Sequence, residues 1–175
     1  MSELHAPPDL SLLSEDAAVK EVYAWSGLAL YYAQVLEHAL VNLIVVATGD
    51  NEDLSSELED WDGFFEKYFR KMMFKLIRIA GERAGVGKDL VQDLEVVRKR
   101  RNFLAHEFFR ANDTNFLHVV GQQKMVMELH SMIAQCQNAT QRVDELTFEI
   151  GAAHGITASL VAEMVAEMRK EARGS

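Results

Sequence analysis

Apolar residues recur every three or four positions over most of the chain, which is the spacing of helices with one buried face. The first such run follows Ser14, which can cap a helix whose first turn is acidic. Its apolar stripe is Val22, Trp25, Ala29, Tyr32, Leu36, Ala39, Leu43 and Val46. Glu37 is the sole carboxylate between Val22 and Gly49, and no Lys or Arg occurs there. A helix this apolar is buried at the centre of the monomer or against a second subunit.

Two further helices are expected after an acidic connection at residues 50–60. The second begins at Asp60 or Asp62 and ends at a group of glycines, and Asp89 caps the third. The stripe of the third helix is Leu90, Leu94, Val97, Arg101, Leu104 and Phe108. Burying an unpaired guanidinium is costly, so Arg101 pairs with a carboxylate such as Glu37, reaches the surface, or serves a function.

The last third of the chain predicts a loop and two more helices. Residues 112–115 are the loop, and the fourth helix has an apolar stripe from Met125 to Ile150. Cys136 lies on that stripe, which makes it a core residue rather than a nucleophile. Thr157 can cap a fifth helix that ends near Arg173. We therefore expect an all-α fold, a five-helix up-and-down bundle, with a flexible arm over residues 1–14 and one domain over 15–175.

Composition is typical of one helical domain that is not secreted. The chain has 175 residues, of which 49% are hydrophobic, enough for one sizeable core. Both prolines lie in the first ten residues, and a single cysteine leaves no internal disulfide. The N-terminus lacks the pattern of a signal peptide, and polar residues interrupt the apolar first helix. We therefore expect a cytoplasmic protein without a membrane span.

Charge is distributed unevenly along the chain. The net charge is −9, but residues 67–110 carry +7 and the remainder carries −16. A basic middle in an acidic chain can steer an anion to one place, although a charged helix face can also be merely solvated. The candidate RNA-binding residues in this region are Lys67, Arg70, Lys71, Lys75, Arg78, Arg98, Lys99 and Arg100.

The third helix contains Arg-Asn-Phe-Leu-Ala-His at residues 101–106. This segment resembles the signature of the HEPN domain (higher eukaryotes and prokaryotes nucleotide-binding): an Arg, a polar residue, and a His after a gap of four to six residues. The resemblance implies an all-helical, dimeric, metal-independent ribonuclease of toxin or defence type, with an antitoxin or a nucleotidyltransferase as its partner. Some members carry a nucleotidyl-accepting Tyr two residues after the His, but this chain has Phe108 there.

The same residues suit metal-independent RNA cleavage by attack of a 2′-hydroxyl on the adjacent phosphorus. Histidine is suited to proton transfer near neutral pH, which assigns that role to His106. Arg101 would stabilise the charge on the phosphate oxygens, and Asn102 would orient the imidazole or hold an oxygen. One histidine per chain serves poorly as both base and acid, and a twofold dimer would supply two.

No metal or cofactor is expected, because no pair of histidines has the spacing of a helical metal site and no glycine-rich phosphate loop occurs. The alternative function is a catalytically silent helical module that binds RNA, a nucleotide or a protein partner. A purely structural alternative for His106 is a core or capping histidine flanked by Phe103 and Phe109. Cleavage of RNA in the presence of EDTA would distinguish the two.

Overall fold

The computed structural model describes residues 4–48, 73–153, 155–156 and 158–174, which form helices and no strand. The helices are α1 (Glu15–Thr48), α2 (Met73–Arg83), α3 (Lys88–His106), α4 (Phe108–Ala111), α5 (Asp113–Phe116), α6 (Val119–Ala153) and α7 (Ala158–Gly174). A 3-10 helix at Leu10–Leu12 precedes them. The all-α prediction is confirmed. The predicted acidic connection, the start of the second helix and the Thr157 cap lie outside the described residues.

The first helix begins where its cap predicts. The Ser14 Oγ accepts a hydrogen bond from the backbone N–H of Ala17, at 3.4 Å. The predicted stripe faces the core, since Val22, Leu36 and Leu43 are fully buried. Leu40, Val41 and Ile44 on neighbouring faces are also fully buried. Burial within the monomer therefore explains much of why this helix has so few charged side chains.

The long helices α1 and α6 run side by side in the same direction. The ring of Trp25 on α1 lies 5.6 Å from that of His130 on α6. Near the C-terminal ends of the same two helices, Val46 lies beside Gly151. In a five-helix bundle of strict up-and-down order the first and fourth helices would be antiparallel. The up-and-down prediction is therefore wrong for this pair, because periodicity identifies a buried face but not the direction of the helix that covers it.

The third helix runs antiparallel to α6. Near its start, Asp89 and Asp93 both form salt bridges with Arg142, and further along Arg100 hydrogen-bonds to Ser131. Asp89 was predicted to cap this helix, but the N-cap residue is Gly87 and the helix begins one residue before Asp89. The Arg142 guanidinium instead lowers the pKa of the Asp89 carboxyl below its usual range.

Two other predictions for the connecting segments are corrected. Residues 112–115 are not a loop, because the chain forms the short helices α4 and α5 around Asn112. The arm over residues 1–14 is not loose at Leu10, which is fully buried and donates its N–H to the Gln123 Oε1 at 2.8 Å. This contact joins the N-terminal segment to the start of α6.

Cys136 is fully buried on α6, as predicted. Burial raises the pKa of its thiol to about 11, so it is unreactive at neutral pH.

Helix α1 is long and apolar enough to cross a membrane by length and composition, yet half of its apolar segment of 18 residues is buried inside the protein. A core helix passes the same test, so the absence of a membrane span remains a prediction.

Candidate functional site

Arg101 occupies the centre of the buried stripe of α3. Its neighbours on that stripe, Val97 and Leu104, are 3% and 5% exposed. The Arg101 side chain extends from the core to the surface, where its Nε lies 3.5 Å from the Glu37 Oε1 on α1. Its side chain remains 33% exposed and that of Glu37 24%. Two of the alternatives open from sequence are therefore observed together, because the Arg101 side chain pairs with Glu37 and also reaches the surface.

Asn102 contacts the arginine rather than the histidine. The Arg101 Nη1 donates to the Asn102 Oδ1 at 3.4 Å, a long hydrogen bond between neighbouring residues. The predicted role of Asn102 in orienting the imidazole has no hydrogen bond to support it among the described residues. Asn102 and Glu37 together hold the guanidinium from two sides.

His106 is the last residue of α3, and its side chain is exposed. The helix ends at Glu107, whose N–H donates to the Phe103 carbonyl at 2.8 Å. The imidazole has no hydrogen bond or ion pair with any described residue, so it neither caps the helix nor belongs to the core. Among the described residues the structural alternative for His106 is thus wrong for both roles.

Arg101 and His106 point away from each other on the monomer. They are five positions apart in the sequence, which turns their Cβ atoms about 140° apart on the helix. Asn102 and Lys99 lie nearer to His106, at about 40° and 20° around the helix axis. Within one chain Arg101 and His106 therefore lie on different sides of α3. Asn102 lies between them around the helix axis and accepts a hydrogen bond from Arg101.

The basic residues divide into paired and unpaired sets. Arg98 forms an ion pair with Glu95 at 2.7 Å, and Arg78 pairs with Glu82 at 3.4 Å. Arg100 turns toward α6, where its Nη1 lies 3.4 Å from the Ser131 Oγ. Lys75 and Lys99 are exposed and have no ion pair with a described residue. Lys67, Arg70 and Lys71 lie outside the described residues.

An aromatic cluster that the sequence pattern did not identify lies just beyond the end of α3. It consists of Tyr23, Phe109 and Phe116, whose ring centroids are 5.6–5.9 Å apart. Phe109 also contacts the buried Phe108 edge to face, at 5.4 Å. Tyr23 is about 90 residues from its partners in sequence. The only sign of the cluster in the sequence is that Tyr23 is an aromatic residue outside the apolar stripe of α1.

Other titratable residues offer less chemistry. A groove of about 370 Å³ between α3 and α6 has Asp93 as its one carboxylate, and that residue binds Arg142. Among the described residues, no group of three or more His, Cys, Asp or Glu is arranged to hold a metal ion. The His118 Nδ1 accepts the N–H of Gly121 at 2.9 Å, which occupies it in the turn into α6. The end of α3, with the exposed imidazole of His106, is therefore the candidate site.

Comparison with known proteins adds no relative to this picture. The chain matches no model of a protein family, no curated protein and no solved structure. Any function must therefore be argued from the residues of the site.

Proposed function

We propose that this protein is an endoribonuclease that cuts RNA without a metal ion, at a composite site formed by two copies of the chain. The observation that supports this most directly is His106, an exposed imidazole at a helix end with no structural role among the described residues. An exposed imidazole with no hydrogen bond to a described residue is suited to proton transfer. The resemblance of residues 101–106 to the HEPN signature supports the same assignment.

The proposed reaction is transfer of the phosphoryl group within the RNA strand. A histidine takes the proton of the 2′-hydroxyl as its oxygen bonds to phosphorus, and a second histidine protonates the 5′-oxygen as its bond to phosphorus breaks. Arg101 donates hydrogen bonds to the phosphate oxygens while negative charge builds on them. The products are a 2′,3′-cyclic phosphate and a free 5′-hydroxyl.

A dimer would bring together groups that one chain keeps apart. The two sides of α3 that carry Arg101 and His106 cannot both face one phosphate in the monomer, because they differ by about 140°. In a twofold arrangement His106 of each copy can meet Arg101 of the other. We propose that the dimer is the form active as a toxin or in defence, and that an antitoxin or a nucleotidyltransferase partner binds this form. We also propose that the main helices are the five helices of a HEPN-like bundle.

The experiment that tests the function is incubation of the purified protein with varied single-stranded RNAs in buffer containing EDTA. We expect fragments that end in 2′,3′-cyclic phosphates, identified by mass spectrometry. Fragments that appear only after Mg²⁺ is added would contradict the metal-independent reaction. No cleavage of any RNA would favour the second candidate, a silent binding module.

The second candidate function rests on the Arg101–Glu37 ion pair. A guanidinium already neutralised by a carboxylate at 3.5 Å is a weaker phosphate ligand than a free one. A module of this kind would use the exposed surface of α3 to bind RNA, a nucleotide or a protein partner without cutting it.

We predict that the dimer contact lies on the middle of α1, around Leu28 and Tyr31, which are three positions apart and share one face of the helix. Their exposed fractions are 37% and 57%, which is large for apolar side chains. Changing Tyr31→Glu should produce a monomer, because a charge would be desolvated in the contact. Light scattering at micromolar concentration measures the mass.

The control for the dimer is Phe148→Glu on α6, where Phe148 is 49% exposed and far along that helix from the α1 patch. It should leave the dimer intact. A monomeric mass for the unchanged protein would contradict the composite site itself.

We also predict that Lys75 and Lys99 contact the RNA backbone. Changing both to Glu should weaken RNA binding and flatten its salt dependence. Each lost phosphate contact should reduce the magnitude of the negative slope of log K against log salt concentration by about 0.7. Fluorescence anisotropy at several salt concentrations measures both quantities. Lys124→Glu, an exposed change on α6 outside the basic region, is the control. An unaltered slope in the double variant would make the basic region a solvated face only.

A further inference from the structure

The aromatic cluster of Tyr23, Phe109 and Phe116 is only partly covered by the fold. Tyr23 is 54% exposed and Phe109 39%, whereas the neighbouring Phe108 is 2% exposed. Leaving large rings in water costs free energy in proportion to the apolar area. Three contacting rings at one place form a patch rather than scattered exposure, and a patch of this kind is typical of a binding surface.

The cluster stands on a hydrogen-bonded corner. The Asn112 side chain donates to the Phe108 carbonyl at 3.1 Å, and the Asn115 side chain donates to the Asn112 Oδ1 at 2.8 Å. The Gln122 side chain, which is buried, donates to the Phe116 carbonyl at 2.8 Å. A Cβ at Gly121 would lie 2.2 Å from the Asn115 carbonyl oxygen, so α6 and this corner are in close contact. The rings are therefore presented by a preorganised frame.

The cluster lies next to the candidate catalytic histidine. Only two residues separate His106 from Phe109, which limits the distance between their Cα atoms to about 11 Å. The exposed Arg110 follows Phe109, and the exposed Lys20 lies one turn before Tyr23 on α1. Glu107 and Asp113, which are close to Phe109 in sequence and exposed, carry the opposite charge, so these four side chains together have no net charge to bind a phosphate.

We propose that this cluster is a stacking platform for an unpaired base of an RNA strand, next to the phosphate that His106 addresses. Aromatic rings bind bases through their faces, and each such contact contributes enough for a several-fold to hundredfold change in affinity. Bases within a duplex are already stacked and cannot reach the rings, so the platform selects single-stranded RNA. This inference rests on the proposed function for its substrate, and it adds the feature of the substrate that is recognised.

The test measures binding separately from cleavage. The probe is a fluorescent single-stranded oligonucleotide of ten uridines with 2′-O-methyl groups, which cannot undergo the proposed attack. We expect Tyr23→Leu and Phe109→Leu each to weaken its binding by about threefold to a hundredfold. The same variants should not change binding of a matched strand that carries abasic sites, because that strand has no base to stack.

The control is Phe148→Leu, an exposed aromatic on α6 away from the corner, which should bind as the unchanged protein does. Equal affinity of the unchanged protein and the Tyr23→Leu variant for the uridine strand would overturn the platform, as would no binding by the unchanged protein. Loss of the dimer in Tyr23→Leu would assign the rings to the contact between copies instead, and would also overturn it. Ring-dependent binding with no RNA cleavage would refute the nuclease and retain the platform.

Discussion

The His106→Ala protein is expected to lose RNA cleavage while folding as stably as the unchanged protein. The side chain is exposed and makes no hydrogen bond or ion pair with a described residue, so its removal should change the free energy of unfolding by less than about 0.5 kcal/mol. Loss of a group that transfers protons lowers a rate by about 10²–10⁴-fold. Single-turnover cleavage and thermal unfolding measure the two effects on the same sample.

A matched control removes an exposed histidine elsewhere. His5→Ala changes an exposed imidazole near the N-terminus and should retain the full cleavage rate. Cleavage by His106→Ala at the unchanged rate would remove His106 from the mechanism. A large drop in its melting temperature would show instead that the imidazole has a structural role, and the loss of cleavage would then say nothing about chemistry.

A mixed dimer gives a sharper version of this test. If the site needs two histidines, one from each copy, a dimer of one His106→Ala chain and one unchanged chain should cut RNA almost as poorly as the dimer in which both chains carry the change. Separate sites, one in each chain, would instead leave the mixed dimer with about half of the activity. Half of the activity in the mixed dimer would therefore contradict a site shared between copies.

Much of the fold was accessible from the spacing of apolar residues. The start of α1, its buried stripe and the core position of Cys136 all follow from periodicity and capping, because these depend on residues close together in the chain. Periodicity could not predict that α1 and α6 run parallel, since helix direction depends on which partner covers each face. Nor could it predict that Asp89 binds Arg142, about 50 residues away, instead of capping α3.

The candidate site was predictable in part for the same reason. Arg101 was singled out because it interrupts an apolar stripe, and its pairing with Glu37 was one of the alternatives open from sequence. The aromatic cluster was not predicted, because Tyr23 joins Phe109 and Phe116 only after α1 packs against the corner. Helix spacing predicted that Asn102 orients the imidazole or holds a phosphate oxygen, and it did not predict the hydrogen bond that Asn102 accepts from Arg101.

Arg101 should prove more important for activity than for stability. Arg101→Ala removes a donor to the charged phosphate and should lower the cleavage rate by about 10²–10³-fold. Arg101→Lys keeps the charge but loses the paired N–H groups that match two phosphate oxygens, so it should restore only part of the rate. The ion pair with Glu37 is partly exposed and contributes only about 0.2–1 kcal/mol to folding.

The double change Arg101→Met with Glu37→Gln separates the two roles. Methionine at position 101 completes the apolar stripe between Val97 and Leu104. Glutamine at position 37 avoids leaving a carboxylate that has lost its arginine partner. The protein should therefore be as stable as the unchanged one to within about 1 kcal/mol, because replacing an ion pair by apolar groups is often neutral or favourable. Its cleavage rate should nevertheless fall to that of Arg101→Ala.

Glu37→Gln alone tests what the carboxylate does for the arginine. If Glu37 mainly positions the guanidinium, a neutral amide of the same shape can still pack against it, and the cleavage rate should fall by less than tenfold. RNA binding should tighten slightly, because the cation is no longer partly neutralised by a charge 3.5 Å away. Urea unfolding, RNA affinity and cleavage rate measured on all four variants distinguish these effects. A double variant that is strongly destabilised but still cuts RNA would show that Arg101 belongs to the packing of α3 and not to the chemistry.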